Sequence, residues 1–164
     1  MLRRFFAKSM EAFVQEADHA EKNNEDAKAV RIYKRALRYF PKSAILYARL
    51  AIAQCRMQTL TEAAESCLHA IDIDPDAFDV NIAAGKVLQE IGDYKEALRY
   101  LVKARSIDSK SAEVYRLLGD LFLDQRKFDA ARIQYEQVLS LEPMDVRART
   151  RLGDILLSNH SEIR

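Results

Sequence analysis

Apolar residues recur along the chain at intervals of three and four positions. Two examples are Leu46-Leu50-Ala53-Met57 and Val80-Ala84-Val87-Ile91. This spacing places apolar side chains on one face of an α-helix, and no stretch alternates with the period of two that a strand requires. The pattern predicts nine helices and no strands, with the helices over residues 3–22, 26–39, 44–57, 60–73, 78–91, 94–106, 112–125, 128–140 and 146–158.

The same features return every 34 residues. Alanine occupies one phase of this repeat four times, at Ala29, Ala63, Ala97 and Ala131. Twelve positions after each alanine come Pro41, Pro75, Ser109 and Pro143, which include all three prolines of the chain. Proline disfavours the helical conformation in the residue before it, so we expect it to end the second helix of each repeat.

The first half of each repeat is also in register. The fourth repeat contains Tyr115, Leu118-Gly119, Phe122, Ala131, Tyr135 and Pro143. This order of aromatic, Leu-Gly, aromatic, alanine, aromatic and proline resembles the tetratricopeptide repeat family. The resemblance covers residues 10–158 without insertion. It implies an all-α, right-handed superhelical solenoid of stacked antiparallel helix hairpins with a concave inner surface.

The repeat divides the chain into about four units and a terminal helix. Residues 1–9 are interpreted as an N-terminal extension of the first helix. The units follow at 10–43, 44–77, 78–111 and 112–145, and residues 146–164 form either the first helix of a fifth unit or a capping helix with a polar tail. The first unit is degenerate, because Glu16 occupies the usual leucine position, so we expect the first hairpin to be the most loosely packed.

Composition and charge narrow the possible functions. The formal net charge is +1, from 26 basic and 25 acidic side chains, so there is no general electrostatic attraction to nucleic acid. No apolar run approaches the roughly 20 residues of a membrane span, and the start of the chain lacks the apolar region of a secretory signal. A cytoplasmic location follows as an expectation, with Cys55 and Cys67 as free thiols.

No pattern of catalytic or ligand-binding residues stands out from the repeat. All four glycines fall at positions that the repeat explains, and no phosphate-binding loop or nucleophile motif is present. The three histidines, His19, His69 and His160, lie at different phases of different repeats, which does not favour a metal site. We therefore predict a protein that is not an enzyme and binds neither a cofactor nor a metal.

In the tetratricopeptide family, ligands usually lie in the concave groove lined by the first helix of each hairpin. The resemblance therefore implies a peptide groove lined by Ile45, Arg49, Ile52, Arg56, Ile82, Lys86, Gln89, Arg116, Asp120, Leu123, Arg147 and Arg151. We expect a non-catalytic adaptor that binds an extended peptide or protein segment of mixed charge, with apolar anchors near Ile45, Ile52 and Ile82. The alternatives are a self-assembling structural scaffold and an accessory domain of a longer enzyme or regulatory protein.

Both ends of the chain offer further contacts. Residues 2–8 mix Leu2, Phe5 and Phe6 with basic side chains, which is compatible with weak membrane-surface contact, with a docking arm or with an extended first helix. At the other end, Ile155 and Leu156 are expected to remain partly bare. Such an apolar end favours a homo-oligomer through the C-terminal helix, or a longer native protein.

Overall fold

The computed structural model describes residues 9–161, with side chains up to residue 157. Within that range the chain forms nine helices and no strand. The helices are α1 (Met10–Lys22), α2 (Asp26–Leu37), α3 (Ala44–Arg56), α4 (Leu60–Ile73), α5 (Phe78–Ile91), α6 (Tyr94–Ile107), α7 (Ala112–Asp124), α8 (Phe128–Leu141) and α9 (Val146–Ser161).

The described bounds agree with the predicted ones to within three residues, except at the start of α1. Ser9 has an extended backbone with φ −65° and ψ 159°, and its Oγ accepts a hydrogen bond from the Ala12 amide. A serine in this geometry caps a helix N-terminus, so α1 begins at Met10 and does not continue through Ser9. Residues 1–8, which carry the proposed membrane or docking segment, lie outside the described residues.

The turn between the two helices of every hairpin has the same backbone geometry. One residue in each turn takes a left-handed conformation, at intervals of 34: Asn24, Gln58, Gly92 and Arg126, with φ between 57° and 91°. The next amide then bonds to a carbonyl five residues back, as from Asp93 to Leu88 at 2.9 Å and from Lys127 to Phe122 at 2.8 Å. These bonds satisfy the last carbonyls of the first helix and reverse the chain.

Close approach of the two helices depends on small residues in the first helix. A Cβ added to Gly119 would lie 2.8 Å from Cζ of Tyr135, a distance that real Cβ atoms do not tolerate. Gly85 meets the side chain of Leu101 in the same way, 34 residues earlier. Ala17 and Ala51 hold the equivalent positions in the first two hairpins and are fully buried. Large side chains of the second helix therefore pack directly on the backbone of the first.

A repeated hydrogen bond fixes the start of three first helices to the turn before them. In each, a side chain donates to the carbonyl of the residue six positions earlier, at 2.8–3.1 Å. The pairs are Asn81 with Pro75, Tyr115 with Ser109 and Arg149 with Pro143. Since the acceptor is a main-chain carbonyl, Ser109 replaces proline here without losing the bond.

The chain divides into two compact units, Met1–Ala83 and Ala84–Arg164. In the first unit, the α1–α2 hairpin encloses an apolar core, with Phe13 and Tyr33 at 3% and 0% exposure. Glu16, in the leucine position, forms an ion pair with Arg35 at 2.8 Å at the edge of this core. The charged residue lies beside the apolar contact without interrupting it, and the looser packing of the first hairpin relative to the others stays a prediction.

In the second unit, α9 packs against α8 through Ala148 and Ile155, which are 0% and 1% exposed. The expectation that Ile155 remains bare was wrong, whereas Leu156 is 55% exposed and its neighbour Leu157 is 74% exposed. No helix among the described residues is long and apolar enough to cross a membrane.

The repeat register can be tested at Ala97 on α6, which has no exposed surface. Replacing Ala97 with Phe should lower the free energy of unfolding by about 1–3 kcal/mol, because the added ring must displace well-packed neighbours. Denaturant unfolding measures this change. The matched control is Val102→Phe on the same helix, where 40% exposure leaves room for the ring. Equal stability of the two variants would contradict the register.

Candidate functional site

The residues predicted to line a groove lie on the first helices of the hairpins. In the first unit, Arg49 and Arg56 project from α3 toward acidic side chains of the preceding hairpin. Arg49 Nη1 lies 2.7 Å from Asp18, and Arg56 lies 2.9 Å from Glu21 and 2.6 Å from Asp26. Their side chains are only 31% and 38% exposed. Each arginine therefore ties α3 to the hairpin before it while keeping part of its side chain at the surface.

In the second unit, α5 and α7 are linked by the same kind of contact. Lys86 Nζ lies 2.8 Å from Glu113 Oε1, and Gln89 Nε2 donates to Asp124 Oδ2 at 2.6 Å. Asp124 is exposed and Gln89 is half-buried. The side chains of Gln89 and Asp124 therefore lie at the rim of the α5–α7 pair and keep part of their surface exposed.

Asp120 on α7 is the most enclosed carboxylate of this face, with its side chain 15% exposed. It accepts a hydrogen bond from the Tyr135 hydroxyl at 2.6 Å, and it pairs with Arg147 and, at 3.8 Å, with Arg151 of α9. A largely buried carboxylate is stable only when it is paired and hydrogen-bonded, and here both conditions are met. Burial, followed by the Asp120 carboxylate, raises the pKa of Tyr135, so the phenol remains a donor.

Among the residues predicted to line the groove, Arg116 contacts the connection between α8 and α9. Its Nη1 lies 2.7 Å from Glu142 and 2.6 Å from Asp145. Asp145 in turn accepts the Ala148 amide at 2.7 Å at the start of α9. That backbone bond, and then Arg116, hold the pKa of Asp145 below its ordinary value against the opposing effect of burial. Arg116 therefore ties α7 to the segment that leads into α9.

The apolar residues predicted to line the groove differ in how exposed their side chains are. Ile45, Ile52 and Leu123 are half-buried, and each presents part of its side chain at the surface. Ile82 is 3% exposed and belongs to the core, so the expectation that it anchors a ligand was wrong. Its phase matches the groove face, but neighbouring side chains within the chain already cover it.

Sequence reasoning missed the acidic partners in the first hairpin, Asp18, Glu21 and Asp26. A signal was available for Asp18, because it lies 31 residues before Arg49 just as Asp120 lies 31 residues before Arg151. In each unit the first helices present charges of both signs and partly exposed apolar side chains. No group of three or more His, Cys, Asp or Glu residues in the described part of the chain could hold a metal ion.

Two tetratricopeptide-repeat family models match this chain, one over residues 14–78 and the other over residues 76–141. The chain belongs to the tetratricopeptide repeat family. Members of this family typically act as adaptors or scaffolds, so the family indicates a general role in protein–protein interaction.

Individual relatives are more distant. The chain is 27% identical over 132 residues to the BBSome complex member BBS4 of Bos taurus, covering 80% of this chain and 25% of that protein. It is 28% identical over 128 residues to the protein O-mannosyl-transferase TMTC1 of Homo sapiens, covering 78% and 14%. It thus spans a quarter or less of each relative's length.

A solved structure of TTC0263, a thermophilic tetratricopeptide protein of Thermus thermophilus, has a TM-score of 0.81. The match covers 93% of this chain and 84% of that one, at 22% identity. At that identity the likeness shows the fold alone.

The enclosed Asp120 carboxylate provides a stability test. Tyr135→Phe removes its 2.6 Å hydrogen bond while retaining the ring that packs on Gly119, and should cost about 1–2 kcal/mol of unfolding free energy. The control is Tyr39→Phe, which changes a tyrosine that is 58% exposed and should alter stability by less than about 0.5 kcal/mol. Equal effects in urea titrations would mean that Asp120 does not need the tyrosine.

Stability should also fall at alkaline pH. Burial raises the pKa of Cys67 and of Tyr33 to about 12, with the neighbouring Cys55 thiol as the second cause for Cys67 and the Glu21 carboxylate for Tyr33. In the unfolded chain these groups ionise near roughly 8.5 and 10. Their raised folded-state pKa values favour the folded chain below those pH values, and that contribution is lost as pH rises toward 12.

Urea unfolding between pH 7.5 and 11 should therefore show a free energy that is flat and then declines above about pH 8.5. In Cys67→Ala the decline above about pH 8.5 should be shallower, since one buried thiol no longer contributes. An unfolding free energy that is constant over the whole range would contradict the enclosure of these two groups.

Proposed function

We propose that this protein is a non-catalytic adaptor that binds an extended segment of a protein partner along the first-helix face of its hairpins. The observation that supports this best is the arrangement of the face itself. Successive first helices present paired charges of both signs at their rims, with half-buried isoleucine and leucine side chains between them.

The ion pairs affect how such a segment would bind. Because Arg49, Lys86 and Arg147 are already held by acidic partners, their side chains are ordered before a ligand arrives, and less conformational entropy is lost on binding. A charged ligand must share or replace these partners. It gains most where one charge of the pair is still accessible, as with Glu113 at 46% and Arg147 at 60% exposure.

The ligand we propose has charges of both signs and apolar anchors, which contact Ile45 and Ile52 on the first unit or Leu123 on the second. Extended segments expose their own backbone amides and carbonyls, and side chains such as Gln89 and Asp124 offer both a donor and an acceptor to them. The same face would serve a free-standing adaptor or an accessory domain of a longer protein. The absence of catalytic activity and the cytoplasmic location remain predictions.

A charge exchange separates ligand binding from folding. Lys86→Glu alone, or Glu113→Lys alone, places like charges together and should lower the free energy of unfolding by up to about 1 kcal/mol. The double variant Lys86→Glu with Glu113→Lys should restore the melting temperature and still lose partner capture. Asp120 and Arg147 already occupy the same two repeat positions with reversed signs, so the fold accepts the exchanged pair.

The partner can be recovered and its contact face mapped by photo-crosslinking from single positions. A photoreactive amino acid at Ile45 or Gln89 should crosslink the partner, as identified by mass spectrometry. Matched positions on second helices, Leu68 and Ile133, are 61% and 50% exposed and should not. Crosslinks from Leu68 and Ile133 alone, or capture by the charge-exchanged double variant at full strength, would overturn the proposal.

A further inference from the structure

The outer faces of the two second helices in the first unit, α2 and α4, carry opposite charges. Residues 26–39 expose seven side chains, of which five are basic and none is acidic. Residues 60–73 expose seven side chains at the same repeat positions, of which three are acidic and none is Lys or Arg. The matched positions are Ala27 with Thr61, Lys28 with Glu62, Arg31 with Glu65, Lys34 with Leu68, Arg35 with His69, Arg38 with Asp72 and Tyr39 with Ile73.

Four charges in the middle of these faces form no ion pair among the described residues, namely Arg31, Arg38, Glu65 and Asp72. The two faces are nevertheless neighbours, since Lys34 Nζ lies 3.1 Å from Glu62 Oε2. As second helices of successive hairpins, α2 and α4 run in the same direction. A basic and an acidic stripe therefore lie side by side on one surface, with their central charges unpaired.

The second helices of the second unit pair their exposed charges locally. Arg99 lies 2.7 Å from Glu96 on α6, and Arg132 lies 3.3 Å from Glu136 on α8. On α2, by contrast, each of Arg31 and Lys34 has another cation four positions further along the helix. Like charges at this spacing destabilise a helix. An oppositely charged surface against α2 would remove that repulsion.

Two-fold symmetry determines how two copies of this surface can meet. In a face-to-face contact of this kind the axis lies in the plane of the interface. An axis perpendicular to the helices places α2 against α2 of the other copy, so that arginines face arginines. An axis along the helices places α2 against α4 of the other copy, in the same direction, so that each residue faces the residue 34 positions later. Only this second arrangement joins opposite charges.

We propose that two copies of this chain pair through the outer faces of α2 and α4, with a two-fold axis along the helices. Arg31 pairs with Glu65 of the second copy and Arg38 with Asp72 of the second copy. The symmetry forms each of these pairs twice. Complementary charges of this kind select the partner and fix the register of the two surfaces.

Exposed apolar side chains meet in the same register. Tyr39 and Ile73, which are 58% and 39% exposed, face each other across the interface. Leu68, at 61% exposure, faces the aliphatic stem of Lys34. These contacts add apolar area to an interface that charge alone would hold weakly.

The register brings no two charges of the same sign together. Arg35 faces the imidazole of His69 and keeps its own partner, Glu16, at 2.8 Å. The pairing surface consists of second helices, whereas the proposed ligand-binding face consists of first helices. Either proposal can therefore fail without the other.

Sedimentation velocity of the full chain measures the pairing. We expect a reversible dimer in about 0.1 M salt that dissociates in about 1 M salt, because the Debye length falls from about 10 Å to about 3 Å. Reversal of the basic face by Arg31→Glu with Arg38→Glu should weaken self-association at least about tenfold, since acidic α2 then faces acidic α4. Reversal of the acidic face by Glu65→Arg with Asp72→Arg should have the same effect.

A matched control reverses two exposed lysines of the second unit. Lys95→Glu with Lys110→Glu changes the net charge as much as the α2 reversal does and should leave the dimer intact. Melting temperatures in about 1 M salt should agree within a few degrees for all these variants, because every altered side chain is exposed.

Mixing the two reversed variants separates specific pairing from a general effect of charge. Each variant repels itself, yet both contacts are complementary in a mixed pair. The acidic α2 of one variant faces the basic α4 of the other, and the two unaltered faces meet as before. An equimolar mixture should therefore form a heterodimer. A chain with all four reversals should pair with itself and not with the original chain.

Several results would overturn the proposal. A monomer of the original chain at high concentration in about 0.1 M salt would do so. So would a dimer that neither reversal weakens, or reversed variants that stay apart when mixed. A monomer that binds phosphatidylserine vesicles through Arg31 and Arg38 would assign the α2 face to an anionic membrane surface. A longer native product that stays monomeric while this chain dimerises would assign the surface to another part of the same polypeptide.

Discussion

The contact between a small residue on one helix and a large side chain on the next sets the geometry of every hairpin described above. With Gly119 directly beneath the Tyr135 ring, the backbones of α7 and α8 approach as closely as an aromatic ring allows. The left-handed turn at Arg126 then has a fixed distance to span. A larger residue at the small position would separate the helices, so the turn and the contacts beyond it would lose their register.

The ion pairs between first helices depend on this packing, because they form only when the helices are already in register. Asp18 meets Arg49, and Asp120 lies 3.8 Å from Arg151, each across 31 residues of sequence. Individually, such partly exposed ion pairs contribute little to stability. Their value here is orientation, because each pair is positioned only when two successive first helices are correctly stacked. The enclosed Asp120 is the exception, since leaving its charge without partners would carry a large desolvation cost.

The sequence was sufficient to predict the helices and their order, because two independent periods agree: the three-to-four spacing within a helix and the 34-residue spacing between hairpins. It was insufficient for accessibility within a helix face. Ile82 and Ile52 share one face of their helices by phase, yet only Ile82 is fully covered, since burial depends on neighbours that phase does not identify. The turns were only partly predictable, because Gly92 and Asn24 are residues that favour a left-handed backbone, whereas Gln58 and Arg126 are not.

The repeat also distinguishes side-chain contacts that recur in several hairpins from positions where the recurring contact is absent. A side chain whose position recurs with a matching partner, such as Tyr135 with Asp120 or Lys86 with Glu113, is accounted for by the stacking of hairpins. A position that recurs without its partner is not accounted for in this way. At Gly153 no described atom lies within 4 Å of the place where a Cβ would be, while the helix around it remains regular and packed through Ile155. In a repeat protein, comparison of the chain with itself therefore separates the contacts that hairpin stacking explains from the positions that it leaves open.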